Sequence, residues 1–335
     1  DAIFSKIVEA LKREGISRIN GPVTSYNNYF ESVYIPSGWI WEDIGNYYGA
    51  GAGNINWKEN QFDLLLKPGK NIGDSVIIVT ESNAAYRYIN ELKTAGKNSG
   101  DNAYIYFNPS VAMVTVRGTV PCCVEFFKIS GSEPNPASNV VEELRQHLNK
   151  ENISTLNMSM TSFTKDKAGR KSKFKYTHYS PSLDSIIYWF NKKSINLYGE
   201  ALIKTFAYEK NGFGSTDSGV VIVKNFWKEK GLDKNELNIV DGSGLSPLNR
   251  VTTHSQVEIL KYARTKDWFS YFKNSLPEYN GMSMKSGTIR GVKGFCGYHK
   301  AKNGKEYIFS FLVNNYNGSA SALVNKMYKV LDNLK

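Results

Sequence analysis

A chain of 335 residues with 41% hydrophobic content is long enough for two or three domains with a sizeable core, and too apolar to be disordered. It contains no run of about eighteen apolar residues, which excludes a transmembrane helix as read from sequence. The formal net charge of +11 predicts attraction to a polyanion, whether nucleic acid, an anionic cell-wall polymer or acidic lipid.

Nucleic acid is the weakest of these, because the tyrosines and phenylalanines are scattered without an RNA-binding signature and no helix-turn-helix or zinc-finger spacing occurs. Three cysteines give no disulfide framework. His147, His178, His254 and His299 each lack a second ligand at a metal spacing, so neither a metal nor another cofactor is expected. The first residues show no signal-peptide pattern and the chain opens on Asp1, so loss of an upstream segment is expected.

Ile3, Ile7, Val8 and Leu11 share one helical face and predict an amphipathic helix that stops at Gly15. A strand and loop follow over 19–30. Positions 34–50 pack Tyr34, Trp39, Trp41, Tyr47 and Tyr48 among Pro36, Gly38, Gly45 and Gly49, too much glycine for a long regular element. The stretch reads as a loop lining a cleft, or as an aromatic piece of core. A strand is expected over 61–67, ended by Pro68-Gly69. From there to Pro109, strands at 75–80 and 103–107 around a polar tract at 94–102 predict a small inserted subdomain. Strands at 111–116 and 122–129 should pair around Gly118, with Cys122 and Cys123 on opposite faces of the second in a structural, not a redox, role. Pro134 and Pro136 precede a helix over 139–149.

The run 165–175 holds six basic residues and one acid around Ala168-Gly169 and reads as a solvated hairpin tip. Two Ser-x-x-Lys matches fall here, Ser162 to Lys165 and Ser172 to Lys175. A catalytic pair of this type needs its serine at the start of a buried helix, so that the lysine one turn on reaches the hydroxyl; neither match has an apolar helix behind it. Ser180 as N-cap and Pro181 at the first position then open a helix to Lys193, whose Ile186, Ile187, Trp189 and Phe190 predict burial. Ser194-Ile195-Asn196 is wedged between that helix and another over 197–209, placed either to aim polar side chains into a cleft or simply to connect two helices. A glycine-rich loop (212–219), a helix (220–230), a strand running into a tight turn (239–246) and a helix (253–264) come next.

The chain ends as an antiparallel meander over 282–288, 294–300 and 305–314, with Asn303-Gly304 as a two-residue turn. A closing helix sets Leu323, Met327, Val330 and Leu334 against that sheet. In the meander's first strand Lys285 and Gly287 share one face and Ser286 takes the other. The row Lys285, Ser286, Gly287, Thr288 suits an anion, and Gly287 lets a bound peptide approach the strand edge.

Taken in order, these motifs resemble the low-molecular-mass class C penicillin-binding proteins, the D-Ala-D-Ala carboxypeptidase and endopeptidase family. The matching residues are Gly38-Trp39, Trp41-Glu42-Asp43 with Tyr48-Gly49-Ala50; Ser180-Pro181; Ser194-Ile195-Asn196-Leu197 with Glu200; Asp241-Gly242-Ser243-Gly244-Leu245-Ser246 with Asn249; Lys285-Ser286-Gly287-Thr288; and Gly297-Tyr298. The Asp241–Ser246 run is the most specific. The family usually has Thr where Ser286 stands, an acid or amide at Ile195 and Arg at Pro247.

The resemblance implies an α+β fold, a penicillin-binding, β-lactamase-like transpeptidase domain of antiparallel sheet flanked by helices, with inserted mixed α/β and β-rich domains. Residues 1–70 plus 115–178 would form inserted domain II, 71–114 a small domain III, and 179–335 the C-terminal portion of the catalytic domain. The implied activity is that of a serine-type D-alanyl-D-alanine carboxypeptidase and endopeptidase, acting on peptidoglycan stem peptides through an acyl-enzyme, binding β-lactam antibiotics, needing no cofactor, and located in the periplasm or another extracytoplasmic space. Ser194, Asn196 and Lys285 would be catalytic; Ser286, Gly287, Thr288, Trp41, Asp43 and Tyr48 would bind substrate. The family's own Ser-x-x-Lys nucleophile precedes all these motifs, so it is expected upstream of Asp1 and this chain alone is expected to be inactive. The competing class is a non-catalytic cell-wall binder on the same fold, which the charge also suits. The sequence leaves the oligomeric state open.

Overall fold

Residues 2–26, 28–81, 86–108, 113–156, 159–162 and 176–335 are described by the computed structural model. The chain divides into two units, Asp1–Ser180 with Tyr208–Ser215, and Pro181–Ala207 with Thr216–Lys335. The whole basic run 165–175, with Lys165, Ser172 and Lys175, lies outside the described residues.

In the first unit, the strand Gln61–Lys67 alternates as its sequence predicts. Phe62, Leu64 and Leu66 point inward, and burying each contributes about 1.5–3 kcal/mol. This strand lies between Ile77–Glu81 and Phe127–Ser132. A second three-stranded sheet places Met113–Pro121 between Arg87–Ala95 and Asn102–Phe107. Val76, Leu92, Ile105, Val114, Val116, Val120 and Ile129 join the two sheets in one core. The helix Ala2–Arg13 packs Val8 and Leu11 with Leu148 of the helix Pro136–Lys150 in a second, smaller core.

Several expectations for this unit are corrected. The strands expected at 111–116 and 122–129 do not pair with each other around Gly118. The strand Met113–Pro121 runs straight through Gly118, which adopts φ 113° and lets Asn102 O come so close that a Cβ would sit 2.1 Å from it. The glycine marks a close backbone approach, not a turn. The division expected at 114/115 falls inside that strand. Arg87–Ala95, unforeseen, is mostly exposed and polar, and its Glu91 faces Arg117 across the parallel pair at 3.8 Å. Cys122 and Cys123 are not on a strand with opposed side chains: they follow Pro121 in a bend, Cys123 at φ 67°, with their Sγ atoms 2.7 Å apart.

The second unit is built on the antiparallel order Glu278–Tyr279, Met282–Ile289, Val292–Lys300, Glu306–Asn314. Met282, Met284, Phe295 and Phe309 cover one face and pack against Met327 and Leu331 of the helix Ala320–Leu331. On the other face Tyr298 packs with Leu260 and Leu276, and its hydroxyl donates to Leu260 O at 2.7 Å. The last hairpin turns over 302–304, closed by Ala301 N–H on Lys305 O, with Gly304 at φ 83°. It is one residue longer than the two-residue turn expected, with the glycine in the left-handed position such loops require.

The helix expected to open at Ser180-Pro181 is Leu183–Lys193, with Ser182 as N-cap. Ser182 Oγ is hydrogen-bonded to the Asp184 carboxylate, which also accepts from Ser185 N at 2.8 Å, so local side-chain bonding fixes the start. The expectation of burial is overturned as well: none of its residues is buried among the described ones, and Trp189 is 48% exposed. Apolar composition shows what a helix can bury, not what covers it. The glycine-rich loop is shorter than expected, since the next helix begins at Thr216. Residues 239–246 form no strand, for a reason given by the site.

Candidate active site

Ser194 ends the helix Leu183–Lys193 in the left-handed conformation, φ 56° and ψ 47°. That costs about 1–2 kcal/mol for a residue with a Cβ. The helix Asn196–Asn211 begins two residues on, so the reversal is made in the polar triplet itself. It brings Ser194 Oγ to Lys285, whose Nζ donates to it at 2.7 Å and to the Ser286 carbonyl at 2.9 Å. An ammonium has only donors, so Ser194 accepts here and keeps its own O–H for a different acceptor.

Burial holds the Lys285 ammonium pKa below the ordinary lysine value; Lys293 pushes the same way, and Cys296, its cross-strand partner, pushes against it. Burial raises the Cys296 thiol to about 11, so it stays protonated beside the lysine.

The Met282–Ile289 strand presents an edge. Met284 N–H leaves the meander to bond Pro277 O at 2.9 Å. Successive amides alternate between the two edges of a strand, so the N–H groups of Ser286 and Thr288 point to that same edge. There the strand Glu278–Tyr279 pairs only with Met282 and Ser283. A Cβ built on Gly287 would meet nothing within 4 Å. The fold itself does not need glycine at this position.

Thr288 Oγ1 accepts from Lys293 Nζ at 2.6 Å across the strand pair, and burial lowers the Lys293 pKa. Lys293 was not singled out in the sequence. The turn at Arg290-Gly291, followed by antiparallel register counting, would have placed it opposite Thr288.

The Asp241–Ser246 run is a loop braced to the helix that Asn196 opens. Asp241 accepts from Gly244 N at 2.6 Å and Ser246 N at 2.9 Å; Glu200 accepts from Gly242 N at 3.1 Å and Ser243 N at 2.8 Å. Asn249 accepts from Val240 N at 2.9 Å and donates to Ser246 O at 2.9 Å. Side chains thus satisfy amides that a strand would have paired in a ladder. Gly199 and Gly242 touch backbone to backbone, since a Cβ on Gly242 would lie 2.2 Å from Gly199 O.

Glu200 is fully buried and carries its proton to unusually high pH. Burial, reinforced by Asp241, raises its carboxyl to about 7 against the hydrogen bonds from Ser243 and Gly242. The folded chain therefore keeps a proton that the unfolded chain loses near 4.5. The contribution of this group to stability falls as pH rises from about 4.5 to about 7 and is level above that. Glu200→Gln abolishes the titration while keeping an acceptor for both amides. Its melting temperature should gain on that of the wild type through this window and hold a constant lead above it. A gap that stays constant from pH 4 to 8 would show that Glu200 does not titrate there.

Trp41, Asp43 and Tyr48 belong to the first unit. Trp41 and Asp43 lie on the short helix Trp41–Ile44 and Tyr48 on the helical turn Tyr47–Gly49. The Trp41 indole donates to Phe107 O at 3.3 Å and its ring lies 5.0 Å from Tyr106. Gly45 is pressed so tightly on Ile105 that a Cβ would lie 1.8 Å from its carbonyl oxygen, and this contact seats the aromatic segment on the strand Asn102–Phe107. Burial raises the Asp43 carboxyl pKa, a hydrogen bond from Tyr48 lowers it, and Glu42 raises it. Tyr104 and Tyr106, which add rings to this cluster, were read in the sequence only as strand residues.

Among the described residues no group of His, Cys, Asp and Glu could hold a metal, and no helix is long and apolar enough to cross a membrane. The chain is 23% identical over 338 aligned residues to the D-alanyl-D-alanine carboxypeptidase DacB of Haemophilus influenzae, covering 94% of this chain and 69% of that protein. It is 32% identical over 168 residues to a D-alanyl-D-alanine carboxypeptidase of Actinomadura sp. (strain R39), covering 44% of this chain and 31% of that one. Its fold matches the crystal structure of penicillin binding protein 4 (dacB) from Haemophilus influenzae with a TM-score of 0.72 at 18% identity, over 97% of this chain and 79% of that one. The model of the D-Ala-D-Ala carboxypeptidase 3 (S13) family matches residues 1–278, and the chain belongs to that family.

Proposed function

We propose that this chain carries the proton-relay and substrate-carboxylate side of a serine-type D-alanyl-D-alanine carboxypeptidase and endopeptidase that acts on peptidoglycan stem peptides in an extracytoplasmic compartment and is acylated by β-lactams. The observation that carries the reading is the Lys285–Ser194 hydrogen bond beside an open strand edge. In such a reaction a serine attacks the carbonyl between two D-alanines, the terminal D-alanine leaves, and water hydrolyses the acyl-enzyme. The reading assigns that serine to a Ser-x-x-Lys pair and to none of residues 1–335.

Ser194, held as acceptor by Lys285, donates its own proton to the leaving amine and is reprotonated from the lysine side. Asn196, at the start of its helix, holds the substrate backbone. Lys285 sets a positive potential for the terminal carboxylate, with the Ser286 and Thr288 hydroxyls as further ligands and Lys293 tied to Thr288. The Thr288 N–H, on the open edge, supplies one oxyanion donor, and such donors are each worth on the order of 3 kcal/mol. In the first unit, Trp41, Asp43 and Tyr48 receive an ammonium-bearing part of the stem peptide.

The test is a fluorescent penicillin followed by a D-Ala-D-Ala stem peptide. The complete gene product is expected to label covalently and release D-alanine, while the 335-residue chain alone does neither. Labelling of the short chain at Ser162 or Ser172, mapped by peptide mass, would overturn the assignment of the nucleophile. A complete product that binds peptidoglycan but neither labels nor turns over would make the protein a non-catalytic binder.

A further inference from the structure

The bend after Pro121 holds a pair of side chains that the proposed reaction does not use. Cys122 and Cys123 are adjacent, their sulfurs face one another at 2.7 Å, and both are free thiols. The backbone is arranged for this meeting. Cys123 adopts φ 67°, a conformation uncommon for any residue with a side chain, and it turns the second thiol back onto the first. Cys122 is buried and anchored by its N–H on Ala95 O at 2.9 Å, at the end of the parallel strand pair, while Cys123 is exposed.

The remaining cysteine, Cys296, is half-buried and belongs to the other unit. The hydrogen bond to Cys123, ahead of burial, raises the Cys122 thiol pKa, and Cys123, being exposed, is the sulfur a reagent meets first.

We propose that Cys122 and Cys123 form a redox-active vicinal dithiol, oxidised to an intrachain disulfide by a small-molecule or protein disulfide and, when reduced, able to chelate a thiophilic trivalent centre. The exposed Cys123 sulfur, as thiolate, attacks one sulfur of the oxidant and expels the other as thiolate, giving a mixed disulfide. Cys122 then loses its proton and attacks Cys123 Sγ, which expels the oxidant's second sulfur. Two thiols of this chain have become one disulfide, and one disulfide of the oxidant has become two thiols, with both protons and both electrons transferred. Consecutive Cα atoms are only about 3.8 Å apart, short of the roughly 4.4–6.8 Å of ordinary disulfides. The ring closes under constraint, which places the bond among labile, easily reduced disulfides and not among structural ones.

The experiment treats the folded chain with oxidised glutathione, alkylates it under denaturing conditions and maps the peptides by mass. The expected product is a loss of two hydrogens confined to the peptide that contains both residues, with Cys296 still alkylated, and full reversal by reduced glutathione. The reduced chain should bind one equivalent of phenylarsine oxide, and the exposed-site variant Cys123→Ser should bind none while keeping the wild-type melting temperature. Glutathione left as a mixed disulfide on Cys123, a disulfide that survives reduced glutathione, or arsenical uptake unchanged in Cys123→Ser would each overturn the proposal.

Discussion

Lys285→Ala, made in the complete gene product, is expected to slow acylation by a β-lactam about 10- to 100-fold while leaving the melting temperature within a degree or two of wild type. The rate loss follows from removing a charged donor: hydrogen bonds to charged groups contribute about 1.5–3 kcal/mol, and each 1.4 kcal/mol is tenfold in rate. The stability forecast follows from where the side chain sits. Met282 and Met284, not Lys285, carry the packing of this strand against the closing helix, and burial already disfavours the lysine's charged form. Removing it relieves a desolvation cost as it removes two hydrogen bonds. Lys285→Arg keeps the charge but not the compact reach to Ser194 Oγ, so it should recover β-lactam binding more than the acylation rate. Acylation of Lys285→Ala at the wild-type rate would sink the assignment of the whole 285–288 row, and a collapse in melting temperature would make Lys285 a structural residue.

The parts of this site that could be read from sequence are those whose chemistry is local. Ser194-Ile195-Asn196 and Lys285 to Thr288 were legible as family motifs in the right order; local pattern alone left the triplet open between lining a cleft and connecting two helices, and strand alternation gave only the faces of Lys285, Ser286 and Gly287. The Asp241–Ser246 run was visible as a signature but misread as a strand. Its amides are satisfied by Asp241, Asn249 and the distant Glu200, and the last of these bonds depends on a helix more than thirty positions upstream. Lys293 was overlooked for a related reason, since its role depends on register across a turn.

In the first unit the errors share one cause. Gly118 and the Cys122-Cys123 pair were interpreted from residue type alone, glycine as turn and adjacent cysteines as strand residues with opposed side chains. The tertiary neighbours decided otherwise: Asn102 O occupies the space where a Cβ at 118 would go, and a left-handed Cys123 turns the two thiols together. The polar strand Arg87–Ala95 carried no hydrophobic alternation because most of its length faces solvent, and it is held by pairing with Met113–Pro121. By contrast 61–67 and 253–264 came out with their observed bounds, since burial on one face and an N-cap threonine write themselves into local sequence.

Asp43→Asn in the complete gene product is expected to cut turnover of a stem peptide with a free side-chain amine about 10- to 100-fold, and to leave turnover of the same peptide with that amine acetylated nearly unchanged. A carboxylate that pairs with an ammonium through a charge-assisted hydrogen bond supplies roughly 1.5–3 kcal/mol when partly buried. Asp43 has that setting: it is half-buried beside Trp41, accepts from the Tyr48 hydroxyl, and has Glu42 next to it to add negative potential. Burial and Glu42 raise its pKa while the Tyr48 bond lowers it, with a net rise, so preference for the free amine should fade on acidification at a higher pH than for an ordinary aspartate. Asparagine retains an oxygen that can accept from Tyr48, so the loop keeps its internal bond and loses only the charge. The alternative is that Asp43 serves only to hold Tyr48 and the turn that follows. In that case both peptides would lose turnover together and the melting temperature would drop with them, and Asp43 would leave the set of substrate-binding residues.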